Sequence, residues 1–335
     1  VAAETRIERV KVTMDLFSWN EESGAQTSGD EQAGGAANAD ETPVQVGAAP
    51  SRLLLVDGMA ILFRAYFATA YGGGIRRTSG GIPVNGVHGF VRYFMDAVNT
   101  FNPTHVACCW DLGSATFRTE QFAGYKANRP EAPEDLIPQF ELVKEVVSSF
   151  GVPNIGLAGF EADDCIGTLA KLHGGEHEVF VLTGDHDLLQ LVDDKISVVI
   201  MKKGHGNYKV YTPESLLEER GLTPEQVIDV KGLMGDTSDN YPGVRGIGEK
   251  TAYKLIQEHG SIDGLLANLD ALTASVRGKI EADLEMLHLS RQLARIRCDV
   301  PVELHIDNCC WSVDRTAVMK KFEELEFRNL ITLIG

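Results

Sequence analysis

Three apolar runs in this chain each end in an acid, and that repeated formula constrains the fold more than any other feature. Arg52-Leu-Leu-Leu-Val-Asp57 is followed by Gly58, and Thr104-His-Val-Ala-Cys-Cys-Trp110-Asp111 repeats the pattern. So does Glu178-Val-Phe-Val-Leu-Thr-Gly184-Asp185-His186-Asp187. Continuous apolar runs read as strands buried on both faces, as in a parallel sheet. Helical apolar spacing separates them: from Asp57 through Phe67, at about Val87–Phe101, and over Asp163–His173 at Ile166, Leu169, Ala170 and Leu172. Strands alternating with helices predict an α/β fold around a mainly parallel central sheet. Functional groups in such sheets collect at the carboxyl ends of the strands. One Asp at a strand end is ordinarily a helix N-cap. Three strands ending this way predict acids converging on one edge.

The stretch Gly159-Phe160-Glu161-Ala162-Asp163-Asp164-Cys165-Ile166-Gly167 supplies more acids to the same chemistry. Acids in a first helical turn face the positive end of the helix dipole, worth roughly 0.3–1 kcal/mol each. That accounts for one Asp. Glu161, Asp163 and Asp164 packed this closely repel one another unless a cation sits among them. Hard oxygen ligands suit Mg²⁺ or Mn²⁺ rather than zinc.

A formal charge of −17 argues against a nucleic-acid partner until its distribution is considered. Residues 1–50 hold nine acids against three bases, so the remaining residues carry −11 of the −17. Nine carboxylates of that remainder are candidates for the acid edge, and without them it is close to neutral. The acidity is local, which leaves room for basic surfaces. Residues 1–50, rich in Gly, Ala and Ser, are expected to form a disordered acidic tail. No apolar run approaches the roughly 20 residues of a membrane span, and no signal-peptide pattern opens the chain. A soluble, cytoplasmic protein is expected. Six cysteines lack zinc spacing and are expected to be reduced, mostly buried thiols.

Between the second and third of the acid-ended runs, Phe117-Arg118 leads to Gly124-Tyr125-Lys126-Ala-Asn128-Arg129-Pro130 and an acidic stretch to Pro138. This is long for a βα connection, ordinarily about 2–6 residues, and its alternating basic and aromatic residues suit a lid that handles phosphate. From Pro213 the pattern turns helical, with Thr212-Pro213 and Thr223-Pro224 as helix starts. Gly235-Asp236-Thr-Ser-Asp239-Asn240-Tyr-Pro-Gly243-Val-Arg245-Gly246-Ile-Gly248-Glu249-Lys250-Thr251 follows. Glu249 stands where a Walker A loop requires Lys, and Gly246-x-Gly248 neither follows a strand nor has the third Gly of a dinucleotide fingerprint. What remains is a tight hairpin entering a helix, whose free N–H groups suit a DNA-backbone phosphate.

These residues together resemble the 5′ nuclease family: the 5′→3′ exonuclease domains of bacterial DNA polymerase I, the phage 5′ nucleases and the flap endonucleases. The resemblance runs from about Leu53 to Pro301 through Val56-Asp57-Gly58, Trp110-Asp111 with Phe117-Arg118, Tyr125-Lys126-Ala-Asn-Arg129, Glu161-Ala-Asp163-Asp164, Gly184-Asp185-His-Asp187 and Gly235-Asp236-Thr-Ser-Asp239-Asn240. It implies a PIN/resolvase-like catalytic core over 51–220 with a helical arch at about 113–138. A helix-hairpin-helix region within a helix-three-turn-helix over 221–300 and a structural extension over 301–335 would follow. No polymerase domain follows within this sequence, so the chain is expected to resemble the free-standing bacterial 5′→3′ exonucleases.

The resemblance also implies a division of labour. Asp57, Asp111, Glu161, Asp163 and Asp164 would hold a first Mg²⁺ or Mn²⁺ ion, and Asp185, Asp187, Asp236 and Asp239 a second. Some family members lack acids of the second group and act mainly as binding proteins, whereas this chain keeps both. Lys126 and Arg129 would contact the scissile phosphate, with Tyr125 and Arg118 ordering the unpaired end. Gly243, Arg245, Gly246, Gly248, Lys250 and Thr251 would grip duplex DNA, with a K⁺ ion there. His186 departs from the Lys or Arg frequent at its position. The implied substrates are DNA with a 5′ end, nick or 5′ flap, and RNA–DNA hybrid, handled by a nucleoid-associated monomer that works beside a DNA polymerase acting in trans. A silent junction-binding protein and an RNA-cleaving nuclease of the related small-nuclease fold are the rival readings. The retained acids argue against the first, and the long hairpin region against the second.

Overall fold

In the computed structural model, which describes residues 51–70 and 74–334, the chain opens with β1 (Arg52–Asp57) and α1 (Gly58–Ala70). Next come α2 (Asn85–Phe101), β2 (His105–Cys109), α3 (Phe117–Gln121), α4 (Gln139–Ser149) and β3 (Asn154–Ile155). They lead to α5 (Ala162–His173), β4 (Glu178–Thr183), β5 (Ile196–Met201) and β6 (Tyr208–Tyr211). The remainder is helical: α6 (Pro213–Arg220), α7 (Pro224–Met234), α8 (Glu249–His259), α9 (Ile262–Ala267), α10 (Ala274–Ala282), α11 (Leu284–Ala294) and α12 (Arg315–Glu324). The tail expected over residues 1–50 lies outside the described residues.

The strands form one sheet in the order β3-β2-β1-β4-β5-β6, parallel except for β6. Their apolar runs divide by a period of two between two cores. Leu54 and Val56 of β1 enter one core, with Val106 and Cys108 of β2 and Val199 and Met201 of β5. Leu53 and Leu55 enter the other, with Ala107, Cys109, Val179, Val181, Val198 and Ile200. Helices α1, α2, α4 and α12 cover the first face, and α5 covers the second. Both faces are therefore dry, which is why these runs do not alternate apolar with polar. β5 and β6 extend the sheet beyond the strands expected from the acid-ended runs.

Gly58 shows why α1 starts so abruptly after β1. A Cβ there would lie 2.5 Å from the Trp110 ring, so only glycine lets the turn pass that indole. The helices from α7 to α11 enclose a separate apolar cluster around Leu233, Val244, Ile256, Leu265 and Leu287. The last segment closes the first core with Val318, Phe322, Phe327 and Leu330. All six cysteines are free; Cys108, Cys109, Cys165 and Cys309 are buried, Cys298 half-buried and Cys310 exposed. No helix among the described residues is long and apolar enough to cross a membrane.

Candidate active site

The carboxyl ends of the central strands bring the first group of acids within electrostatic reach of one another. Asp57, the last residue of β1, accepts the Ala60 N–H at 3.0 Å and the Thr183 hydroxyl at 2.8 Å. Burial, with Asp111 and Asp185 adding repulsion, pushes its carboxyl up to about 7 despite those two hydrogen bonds. Asp111, just past β2, accepts the Ala162 N–H at 2.7 Å, and burial raises it against the pull of Lys126. Asp163, in the first turn of α5, is raised by burial and then by Asp57 and Asp185.

The second group adjoins the first through Asp185, which follows β4. Its carboxylate accepts the Asp187 N–H at 2.8 Å and feels Asp236 and Asp239 as neighbours. Asp187 is pushed up to about 7 by burial, with Asp185, Asp236 and Asp239 adding to it and Lys231 opposing. Asp236 accepts from the Ser238 N–H at 2.7 Å and the Ser238 hydroxyl at 2.5 Å. The Lys231 ammonium stands between the two, 2.7 Å from Asp187 and paired with Asp236. Sequence reasoning missed Lys231, because a Lys in the last turn of a helix looks like an ordinary partner of the helix dipole.

Lys126 joins the two groups. It adopts a left-handed backbone with φ +53°, rare for a residue with a side chain and a mark of local constraint. Its N–H donates to the Asp239 carbonyl at 2.8 Å, and its ammonium lies 2.7 Å from Glu161. Tyr125 donates toward Glu161 at 3.1 Å and Asp239 at 3.0 Å, while the Arg129 guanidinium binds Asp239. Burial alone would raise Asp239, but Lys126 and Arg129 outweigh it and hold that carboxyl below its usual range. Asn128 and Asn240 tie the same two segments together, donating to the carbonyls of Thr237 and Gly124 at 2.8 and 2.6 Å. The segment expected as an arch holds one short helix, α3, followed by turns that lie against residues 237–240.

Two residues stand differently from the roles implied for them. Arg118, expected at an unpaired DNA end, is 2% exposed and points inward. It donates to Asp164 at 2.7 and 2.8 Å, to Glu161 at 3.2 Å, and to the carbonyls of Leu293 and Arg295. Asp164, expected as a metal ligand, is 0% exposed and also accepts the N–H groups of Glu161 and Arg297 at 3.1 and 2.9 Å. The pair braces the start of α5, and neither partner is free to meet a ligand without breaking it. Tyr125 is likewise buried. His186 is held neutral: burial, with Arg220, Lys231 and Lys202 nearby, pushes its imidazole down to about 4.

Among the described residues, no three or more His, Cys, Asp or Glu side chains stand together as a metal-holding group as placed. The ammonium groups of Lys126 and Lys231 and the Arg129 guanidinium lie between the acids instead. The donor set still fits a hard dication, being entirely carboxylate oxygen. Burial raises the pKa of Asp57, Asp163, Asp185 and Asp187, and neighbouring carboxylates add to it: Asp185 acts on Asp57, Asp163 and Asp187, and Asp236 and Asp239 act on Asp185 and Asp187.

The glycine hairpin is chained to this basin. Asp236 and Tyr241 pair backbone to backbone at 2.8 and 3.0 Å, and Gly243 then turns in the left-handed region with its N–H on the Ser290 hydroxyl. Arg245 binds Asp283, and the Gly246 carbonyl accepts from Lys279 at 2.9 Å. Gly248 caps α8 without a side-chain bond, leaving Lys250 exposed and Thr251 half-buried in the first turn.

Two family profiles match consecutive parts of the chain. One describes the 5′-3′ exonuclease N-terminal resolvase-like domain, over residues 52–221, and the other the 5′-3′ exonuclease C-terminal SAM fold, over residues 222–316. A 5′-3′ exonuclease of Bacillus subtilis (strain 168) is 58% identical over 252 residues, covering 75% of this chain and 85% of that protein. DNA polymerase I of Bacillus caldotenax is 41% identical over 283 residues, which is 84% of this chain but 32% of the polymerase. The fold also matches a bacteriophage T5 flap endonuclease solved as a complex with DNA and metal ions, at a TM-score of 0.61 and 24% identity, covering 82% of this chain and 98% of that one. Taken with the acid-ended strands and the glycine hairpin, these matches show that the chain belongs to the 5′-3′ exonuclease family.

Proposed function

We propose that this metal-dependent 5′ nuclease cuts DNA at a free 5′ end, a nick or the base of a 5′ flap, and leaves 5′-phosphates. The observation that carries this reading is the meeting of two acid groups at one sheet edge, with Lys126 and Arg129 at their junction. Asp57, Asp111, Glu161 and Asp163 would hold one Mg²⁺ or Mn²⁺ ion, and Asp185, Asp187, Asp236 and Asp239 the other. Bound there, such ions supply Lewis-acid polarisation of the phosphate and an activated water.

The chain's own residues do the rest. Arg118 and Asp164 fix Glu161 and the first turn of α5, which carries Asp163 within electrostatic reach of Asp57 and Asp185. Lys126 and Arg129 exchange their carboxylate partners for phosphate oxygens and offset charge that develops during in-line displacement. The hairpin from Gly243 to Thr251 offers N–H groups to a duplex phosphate without reading sequence, and the same hairpin would hold a K⁺ ion. RNA–DNA hybrids, cooperation with a polymerase in trans, a cytoplasmic nucleoid setting and a monomeric state complete the proposal.

The test is cleavage of 5′-flap, nicked and single-stranded substrates with and without Mg²⁺, beside an Asp163→Ala control. Mg²⁺-dependent release of the flap by the parent chain, lost in the control, is the expected outcome. Tight flap binding without cleavage in either Mg²⁺ or Mn²⁺ would refute it.

A further inference from the structure

Tyr241 carries a buried hydroxyl with no hydrogen-bond partner. The residue is 2% exposed, and its ring is fixed against the Tyr125 ring at 6.4 Å, within an apolar cluster that includes Ile228, Leu293 and Ala294. Its backbone is paired in both directions with Asp236. Phenol groups at buried positions almost always find a partner, because an O–H that has given up water loses more than it gains. A phenylalanine would fill the same space without that loss.

The charged groups that act electrostatically on this phenol are Lys231 and three members of the second acid group, Asp187, Asp236 and Asp239. Lys231 already shares its ammonium between Asp187 and Asp236, and Asp239 is taken by Tyr125, Lys126 and Arg129. The Oδ1 of Asp187, ion-paired with Lys231, is likewise buried without a hydrogen bond, so a donor and an acceptor are both left over beside this acid group. We infer that Tyr241 is a positioning residue of the second acid group, its O–H donating to a water of the divalent cation held by Asp185, Asp187 and Asp236. The hydroxyl then completes its bonding only in the cation-loaded protein. The inference rests on the nuclease reading above insofar as that reading places a cation there.

The test is Tyr241→Phe in the full chain, with Mn²⁺ binding followed by electron paramagnetic resonance of the free ion and thermal unfolding followed in EDTA. The expected result is an unchanged or slightly raised midpoint in EDTA, with one class of Mn²⁺ site weakened roughly three- to tenfold. A Mn²⁺ isotherm identical to the parent's overturns the inference. So does a midpoint several degrees lower in EDTA, which would mean the hydroxyl already has a structural partner. A parent chain that takes up no Mn²⁺ defeats the nuclease reading itself, an outcome visible before any variant is made.

Discussion

The Lys126 ammonium lies 2.7 Å from the Glu161 carboxylate, while its backbone N–H holds the Asp239 carbonyl at 2.8 Å. One residue in a left-handed conformation therefore clasps one acid from each group. Burial works against its charge, yet Glu161, Asp239 and Asp111 keep its pKa above the ordinary lysine value. The charge is permanent and aimed. Lys126→Ala should lower single-turnover cleavage of a flapped duplex by about a hundredfold or more, the usual consequence of losing one preorganised donor. Binding of the same flap in Ca²⁺, measured by fluorescence anisotropy, should survive. Cleavage at the parental rate would remove Lys126 from the chemistry.

Arg118 and Asp164 make a different kind of pair, sealed at 2% and 0% side-chain exposure. Removing one partner of a buried pair commonly costs about 3–5 kcal/mol, because the other is left charged and dry. Arg118→Met should therefore lower the free energy of unfolding by about 3 kcal/mol or more in urea titrations. If Arg118 instead served chiefly to contact DNA, stability would hold and only flap affinity would fall.

That pair marks the boundary of what the residues disclosed in one dimension. Leu53 to Val56 had to be a strand, because an unbroken apolar run needs two dry faces, and the acids closing such runs had to share an edge. Ile196 to Met201 is equally apolar but ends in no acid, so nothing chemical drew attention to it. The alternation of basic and aromatic residues after Phe117 suits a phosphate lid, and the family resemblance implies Arg118 as a DNA contact; only packing shows that the guanidinium turns inward. Lys231 and Tyr241 had no local signal at all. What stands opposite Lys231 is fixed by the packing of α7, and Tyr241 is placed by its backbone pairing with Asp236.

The acids should make both stability and metal uptake depend on pH. Asp57 and Asp187 sit near 7 in the folded chain against 3.8 for an ordinary Asp. Between those values the folded form keeps protons that the unfolded form has released, so metal-free stability falls as pH rises through the window. A divalent ion must displace the same protons, so its affinity rises across the same range. Thermal midpoints taken from about pH 5 to 8 should decline in EDTA while the added stabilisation by Mn²⁺ widens. A stabilisation independent of pH would mean that other groups hold the ion.

Lys231 competes for the same oxygens. Its ammonium already bridges Asp187 and Asp236, so a dication there must share or displace it. Lys231→Met should destabilise the metal-free chain by about 3 kcal/mol or more and tighten Mn²⁺ binding at the second acid group. Lys231→Arg, which keeps the charge, should do neither to the same extent. Calorimetric titration of the three proteins decides the point, and looser Mn²⁺ binding by the Met variant would contradict it.

Two glycines of the hairpin separate folding from recognition. Gly243 turns at φ +60°, and a Cβ there would lie 2.3 Å from the Gly235 nitrogen and 2.5 Å from the Leu233 carbonyl. Gly243→Ala should therefore strain the backbone by about 1–3 kcal/mol and displace the hairpin from α7. At Gly248 the space around a Cβ is open, with no atom within 4 Å, and the backbone at φ −94° suits any residue. That open space would let a phosphate reach the first N–H groups of α8. Gly248→Ala should leave stability within about 1 kcal/mol of the parent and weaken flapped-duplex binding severalfold. The loss should be seen at every salt concentration, because the remaining phosphate contacts still set the slope. Undiminished binding by Gly248→Ala would move the duplex grip away from the start of α8.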